Sequence, residues 1–180
     1  MAKAPVKSTW TKEAEYRRFH AESAAIKVHR EEAVLYPKLW KRYKAKRALS
    51  WKTLPFNEAT RAKVPKTQGL YAFVVKPEVG DLPPSGWLFY IGEVGATASP
   101  SRTFWKRYDE YLGELSKVTR PKMSMLLKRY KGYIHFYYCE LDPRTVDLKA
   151  VEAELITAAW PYANIKDFDV QYRQLRRAFT

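Results

Sequence analysis

Polar and apolar positions follow two different rhythms along this chain. From about residue 11 to 36 the sequence is rich in Ala, Glu, Lys and Arg and contains no glycine or proline, which predicts a helix. Pro37 interrupts it, and residues 38–47 resume as a basic, aromatic-rich helical stretch. Residues 50–68 hold Pro55 and Pro65 without a steady period and read as a linker. Alternation then takes over. Residues 69–76 predict a strand with Tyr71, Phe73 and Val75 on one face, and residues 87–94 a return strand with Leu88, Tyr90 and Gly92 on one face. The Pro- and Gly-rich residues 77–86 join the two. Thr103 is a candidate N-cap for a helix to about residue 115, with Phe104, Tyr108, Tyr111 and Leu115 as its buried stripe. A third strand is expected over 133–141, a helix over 146–160, and a basic terminal helix over 169–179. The expected fold is α+β: a small, mainly antiparallel three-stranded sheet flanked by helices. Residues 69–180 would form the domain and residues 1–68 a basic helical extension.

One residue breaks the helical stripe of 146–160. Leu148, Val151, Leu155, Ile156 and Ala159 share a face, and Glu152 falls among them while Glu154 points away. A carboxylate there costs several kcal/mol unless it is paired or bound to a metal. A salt bridge to a nearby Arg or Lys and a metal ligand are equally open.

Charge narrows the partners. The net charge is +14, and aromatic rings sit among the cations in Trp40-Lys41-Arg42-Tyr43 and Trp105-Lys106-Arg107-Tyr108. Cations that meet phosphate beside rings that stack on bases suit a nucleic acid. Arg173 and Arg177, one turn apart on the terminal helix, add to this charge. Cys139 is the single cysteine, which excludes an intramolecular disulfide and fits a cytoplasmic protein. With His20, His29 and His135 scattered, no Cys/His zinc site is expected. No apolar run approaches the ~20 residues of a membrane span, and the first residues lack a signal-peptide core. The phosphate-loop, HExxH and GxSxG patterns are absent.

Six positions in order carry a more specific signal: Gly69-Leu70-Tyr71, Tyr90-Ile91-Gly92, Arg107, Tyr111, Glu152 and Asn164. The stretch from Glu152-Ala153-Glu154-Leu155-Ile156 to Pro161-Tyr162-Ala163-Asn164 continues the pattern. In this order the chain resembles the GIY-YIG nuclease family over about residues 69–166. The family has one triplet on each of two strands, an arginine with His or Tyr four residues later, and a glutamate about twelve residues before an asparagine. Glu93 stands where many members have a basic residue, and both connecting loops are longer than usual. The resemblance implies metal-dependent cleavage of nucleic acid, DNA in particular. It further implies that Glu152 holds one Mg²⁺ or Mn²⁺, Arg107 clamps the phosphate, and Tyr71 acts as general base. Tyr90 and Tyr111 would position water and phosphate, and Asn164 would fix local geometry. Gly92, Lys106, Lys41, Arg42, Arg173 and Arg177 are the expected nucleic-acid contacts. The N-terminal helical region leaves room for a homodimer or a protein partner. Two rival roles use the same features: an inactive nucleic-acid-binding or assembly subunit, and a module whose basic face docks an acidic protein.

Overall fold

The computed structural model describes residues 12–31, 33–41, 43, 48–80, 83–96, 101–164 and 172. Arg42, Arg173 and Arg177, with the expected terminal helix apart from Tyr172, lie outside the described residues. The chain divides into two units, residues 1–32 and residues 33–180.

The first unit contains helix α1, Lys12–Val28, which has no buried residue. Its cohesion is local, from Arg17–Glu13 (3.0 Å) and Arg18–Glu22 (2.8 Å) ion pairs at i,i+4. Pairs this exposed are screened by water and add little to stability. The helix ends at Val28 rather than near residue 36: with no face to bury, nothing extends it past the weak helix formers Val28 and His29.

In the second unit Pro37 opens a helix instead of breaking one. It occupies the first turn of α2, Pro37–Trp40, where its missing N–H costs nothing. The sheet has four strands in the order β1 (Lys52–Pro55), β4 (Ile134–Glu140), β2 (Gly69–Val75), β3 (Trp87–Val94), and every pairing is antiparallel. The expected three-stranded sheet is therefore corrected to four. The added edge strand comes from the stretch read as a linker, and only Leu54 is apolar in its Lys-Thr-Leu-Pro sequence, so alternation could not reveal it. Backbone pairing with β4 and a Lys52–Glu140 ion pair of 2.8 Å hold it. A 3₁₀ helix, Glu58–Lys63, follows, capped by the Asn57 side chain on the Thr60 amide.

Helices cover both sheet faces. Tyr71, Phe73 and Val75 of β2 face α3 (Phe104–Lys117) and α4 (Pro121–Arg129), in a core that includes Phe104, Tyr108, Met123, Leu126 and Phe136. Ala72 and Ile91 face α5 (Leu148–Ala159) and α2, packing with Leu39, Ile156 and Trp160. Burial on both sides makes β2 continuously apolar.

The β2–β3 ladder contains a bulge: Phe73 pairs with Tyr90 but Val74 pairs with Leu88, leaving Phe89 as the extra residue. Both Phe89 and Tyr90 therefore reach the Phe73 ring, at 5.9 and 6.4 Å. Leu88 moves to the α5 side. The expectation that Leu88 and Tyr90 share a face fails for this reason.

Candidate active site

Both motif glycines are required by contact. Gly69 has φ +140°, and a Cβ there would lie 2.1 Å from the Cys139 carbonyl oxygen and 2.7 Å from the Leu141 nitrogen. Gly92 is buried and pairs with Tyr71 across the β2–β3 ladder. A Cβ on it would lie 2.3 Å from both Cζ and the hydroxyl of Tyr71. The missing side chain lets the Tyr71 ring lie across β3, and only a residue without a Cβ accommodates that approach.

Around this ring the fold gathers four of the six motif residues. Arg107, on the first turn of α3, donates from Nε to the Tyr71 hydroxyl at 2.8 Å. Tyr71 and Tyr111 share a hydrogen bond of 3.1 Å between hydroxyls. The Tyr90 ring lies 6.0 Å from each of the other two tyrosines. The i,i+4 spacing of Arg107 and Tyr111 puts the guanidinium 5.1 Å from the Tyr111 ring. Thr103 fixes the start of this helix by accepting from the Lys106 amide. Tyr108, one position past Arg107, anchors it below by bonding the backbone at Asn57 and Pro55.

Tyr71 and Tyr111 are fully buried. Burial, followed by the neighbouring phenols, pushes the Tyr71 pKa well above its ordinary value, and the opposing pull of Arg107 is smaller. Tyr111 is raised too, again chiefly by burial. Burial acts to lower the Arg107 pKa, but Tyr71 and Tyr111 outweigh it and the guanidinium stays charged. In this structure Tyr71 is thus a neutral phenol bonded to a cation, not a pre-ionised base.

Asn164 acts on the backbone. Its Oδ1 accepts from the Ile91 amide at 2.9 Å and its Nδ2 donates to the Ile91 carbonyl at 2.8 Å. The adjacent Ala163 amide bonds the Phe89 carbonyl at 2.8 Å. The segment after α5 is thereby pinned along the outer side of β3, beside Tyr90. Glu152 is half-buried on α5, one turn before Ile156, in the layer on the opposite face of the sheet from the Tyr71 ring. Glu93 accepts from the Ala96 amide at 3.0 Å, closing the turn after β3.

No group of three or more His, Cys, Asp or Glu side chains converges among the described residues. The Asn164 amide is engaged at both ends, and Glu152 is the one carboxylate among the motif positions. One carboxylate fits Mg²⁺ or Mn²⁺ that keeps most of its water shell, and does not fit an ion caged wholly by protein. Of the expected nucleic-acid contacts, Lys41 and Lys106 are exposed, and Lys106 bonds the Ser101 carbonyl at 3.1 Å.

Sequence reading missed two acidic residues on α3. Glu110 bonds Arg107 Nη1 at 2.6 Å. Glu114 is 5% exposed and accepts from Thr119 Oγ1, Ser124 Oγ (2.7 Å) and the Arg120 amide (3.0 Å). It caps the start of α4 from outside that helix. A signal existed for Glu114, which lies three residues after Tyr111 on the same stripe.

No protein-family model, curated protein or solved structure matches this chain. Among the described residues no helix is long and apolar enough to cross a membrane.

Proposed function

We propose that this chain is a GIY-YIG-type endonuclease that hydrolyses phosphodiester bonds in nucleic acid, DNA in particular, with one Mg²⁺ or Mn²⁺ per site. The observation that carries this reading is the Tyr71–Arg107–Tyr111 cluster formed over Gly92. The glycine, both tyrosines and the arginine belong to one motif, and their contacts make them one unit. Arg107 supplies a fixed cation for the charge that builds on phosphate oxygens in the transition state. Tyr71 serves as base through its phenolate: it gives up its own proton to solvent in a prior equilibrium, with Arg107 stabilising the phenolate oxygen, and then takes one proton from the attacking water as the new bond forms. Asn164 is a positioning residue, holding β3 and the end of α5 in register. The resemblance assigns the ion to Glu152, where it would supply Lewis-acid stabilisation of the leaving oxygen; α5 lies across the sheet from the Tyr71–Arg107–Tyr111 cluster, so the metal is the part of this proposal that Glu152→Ala tests. Lys41 and Lys106, exposed beside Trp40 and Trp105, bind the flanking backbone.

The complete burial of Tyr71 favours a second reading, a module of the same architecture that binds nucleic acid without cutting it. Supercoiled plasmid incubated with Mg²⁺, Mn²⁺ or EDTA, with wild type beside Glu152→Ala, separates the two. Metal-dependent nicking lost in the variant is the expected result. Intact plasmid throughout, with equal gel shifts, overturns the enzyme in favour of the binding module.

A further inference from the structure

Three arginines from different parts of the chain converge on Glu110. Arg107 Nη1 lies 2.6 Å from its carboxylate, Arg102 Nη2 3.5 Å and Arg120 Nη2 3.6 Å. Arg102 precedes α3, Arg107 and Glu110 lie one turn apart within it, and Arg120 stands at the start of α4. Arg120 is further held 5.1 Å from the Tyr111 ring. The Arg107 side chain is 12% exposed, whereas those of Arg102, Arg120 and Glu110 are 45%, 37% and 37% exposed. One buried guanidinium therefore forms the floor of the cluster and two form its rim, with the carboxylate at the mouth.

Three positive charges against one negative leave this point with a surplus of two. A carboxylate offers two acceptor oxygens to these donors, and a phosphodiester likewise offers two charged oxygens at similar spacing. We propose that Glu110 is an internal stand-in for a nucleic-acid phosphate: Arg102, Arg107 and Arg120 form a phosphate site that Glu110 fills until the backbone displaces it. With its side chain 37% exposed, Glu110 already meets solvent on one side and can turn toward it when a phosphate takes its place. The carboxylate restrains binding and keeps the buried Arg107 charge paired when no ligand is present. This rests on the nucleic-acid reading above, but not on cleavage.

The test is binding of a fluorescein-labelled 20-base-pair duplex in EDTA, measured by anisotropy at several salt concentrations. Glu110→Gln should bind about tenfold tighter than wild type, with a salt slope steeper by about one unit, while the charge-conserving Glu110→Asp stays near wild type. Arg102→Ala and Arg120→Ala, both on the rim, should each weaken binding several-fold and flatten the slope. They keep the test decisive if the Glu110 variants fail a thermal-melt check of folding. Glu110→Gln binding no tighter while folded, or rim variants binding as wild type, would leave Glu110 a structural ion pair and overturn the proposal. Tighter binding without plasmid nicking in Mg²⁺ would sink the nuclease and leave this inference standing. Nicking with unchanged Glu110→Gln affinity would do the reverse, and no binding by any form at low salt would sink both.

Discussion

Replacing Glu114 by glutamine keeps the shape of the side chain but removes a charge that four donors surround. The carboxylate accepts from two hydroxyls, of Thr119 and Ser124, and from the backbone amides of Thr119 and Arg120. Burial alone would raise its pKa, yet these bonds outweigh burial and hold it at about 2, against an ordinary 4.5. The folded pKa lies below the unfolded one. The resulting stability is therefore complete above pH ~4.5 and is lost as the pH falls toward 2. A gap of ~2.5 pH units corresponds to about 3 kcal/mol at neutral pH, of which about 2 kcal/mol is gone by pH 3. Urea unfolding followed by tryptophan fluorescence at pH 7, 5 and 3 reads this directly. With a slope of about 2 kcal/mol per molar urea, Glu114→Gln should lower the midpoint at pH 7 by ~1 M or more. The gap between the two proteins should shrink by more than half at pH 3. Glu140 and Asp142 also have lowered pKa values, but they titrate in both proteins and cancel in the difference. A midpoint gap that stays constant from pH 7 to pH 3 would refute the assignment of this stability to the Glu114 charge.

Other perturbations follow from the same geometry. Gly92→Ala puts a Cβ 2.3 Å from the Tyr71 hydroxyl, so a loss of about 1–3 kcal/mol in denaturant stability is expected, together with loss of nicking. An alanine variant as stable and active as wild type would show that Tyr71 need not lie over β3. Asn164→Ala removes two buried bonds to Ile91 and should cost about 2–3 kcal/mol; an unfolding midpoint within error of wild type would contradict the pinning role. Because the Tyr71 pKa is raised, the nicking rate should climb from pH 6 to 9 without a plateau, and Tyr71→Phe should cut it by about 10²–10⁴-fold. A flat profile with chemistry rate-limiting would rule out proton transfer through Tyr71.

Periodicity located β2, β3, β4, α3 and α5 to within a few residues, because each buries a regular apolar face. It failed where pairing rather than hydrophobicity defines the element, as in β1, whose Lys-Thr-Leu-Pro offers one apolar side chain. It left α4 unassigned although Met123, Leu126 and Leu127 are buried at helical spacing. The facing of Leu88 was misread because a bulge is a property of two strands, invisible in one. At the candidate site, the order of motif residues singled out Tyr71, Tyr90, Arg107 and Tyr111, which are indeed neighbours. Glu110 was not legible as a site residue, and Glu114 only through its place three residues after Tyr111 on the buried stripe. Charged residues on a helix ordinarily face water, and what they bond here depends on how the chain turns between α3 and α4.

The pinning of Ile91 by Asn164 has a bearing on self-association. β3 is an outer strand, and an open outer strand invites another chain to extend the sheet. Here the Ile91 amide and carbonyl, and the Phe89 carbonyl, are already taken by the protein's own residues 163 and 164. The opposite rim, β1, is four residues long and ends in Pro55, which has no amide hydrogen to offer. Neither rim is a ready template for a foreign strand. Any pairing of two copies through these rims would have to displace residues 163 and 164 or work around Pro55, so removal of Asn164 would open the β3 rim to a second chain.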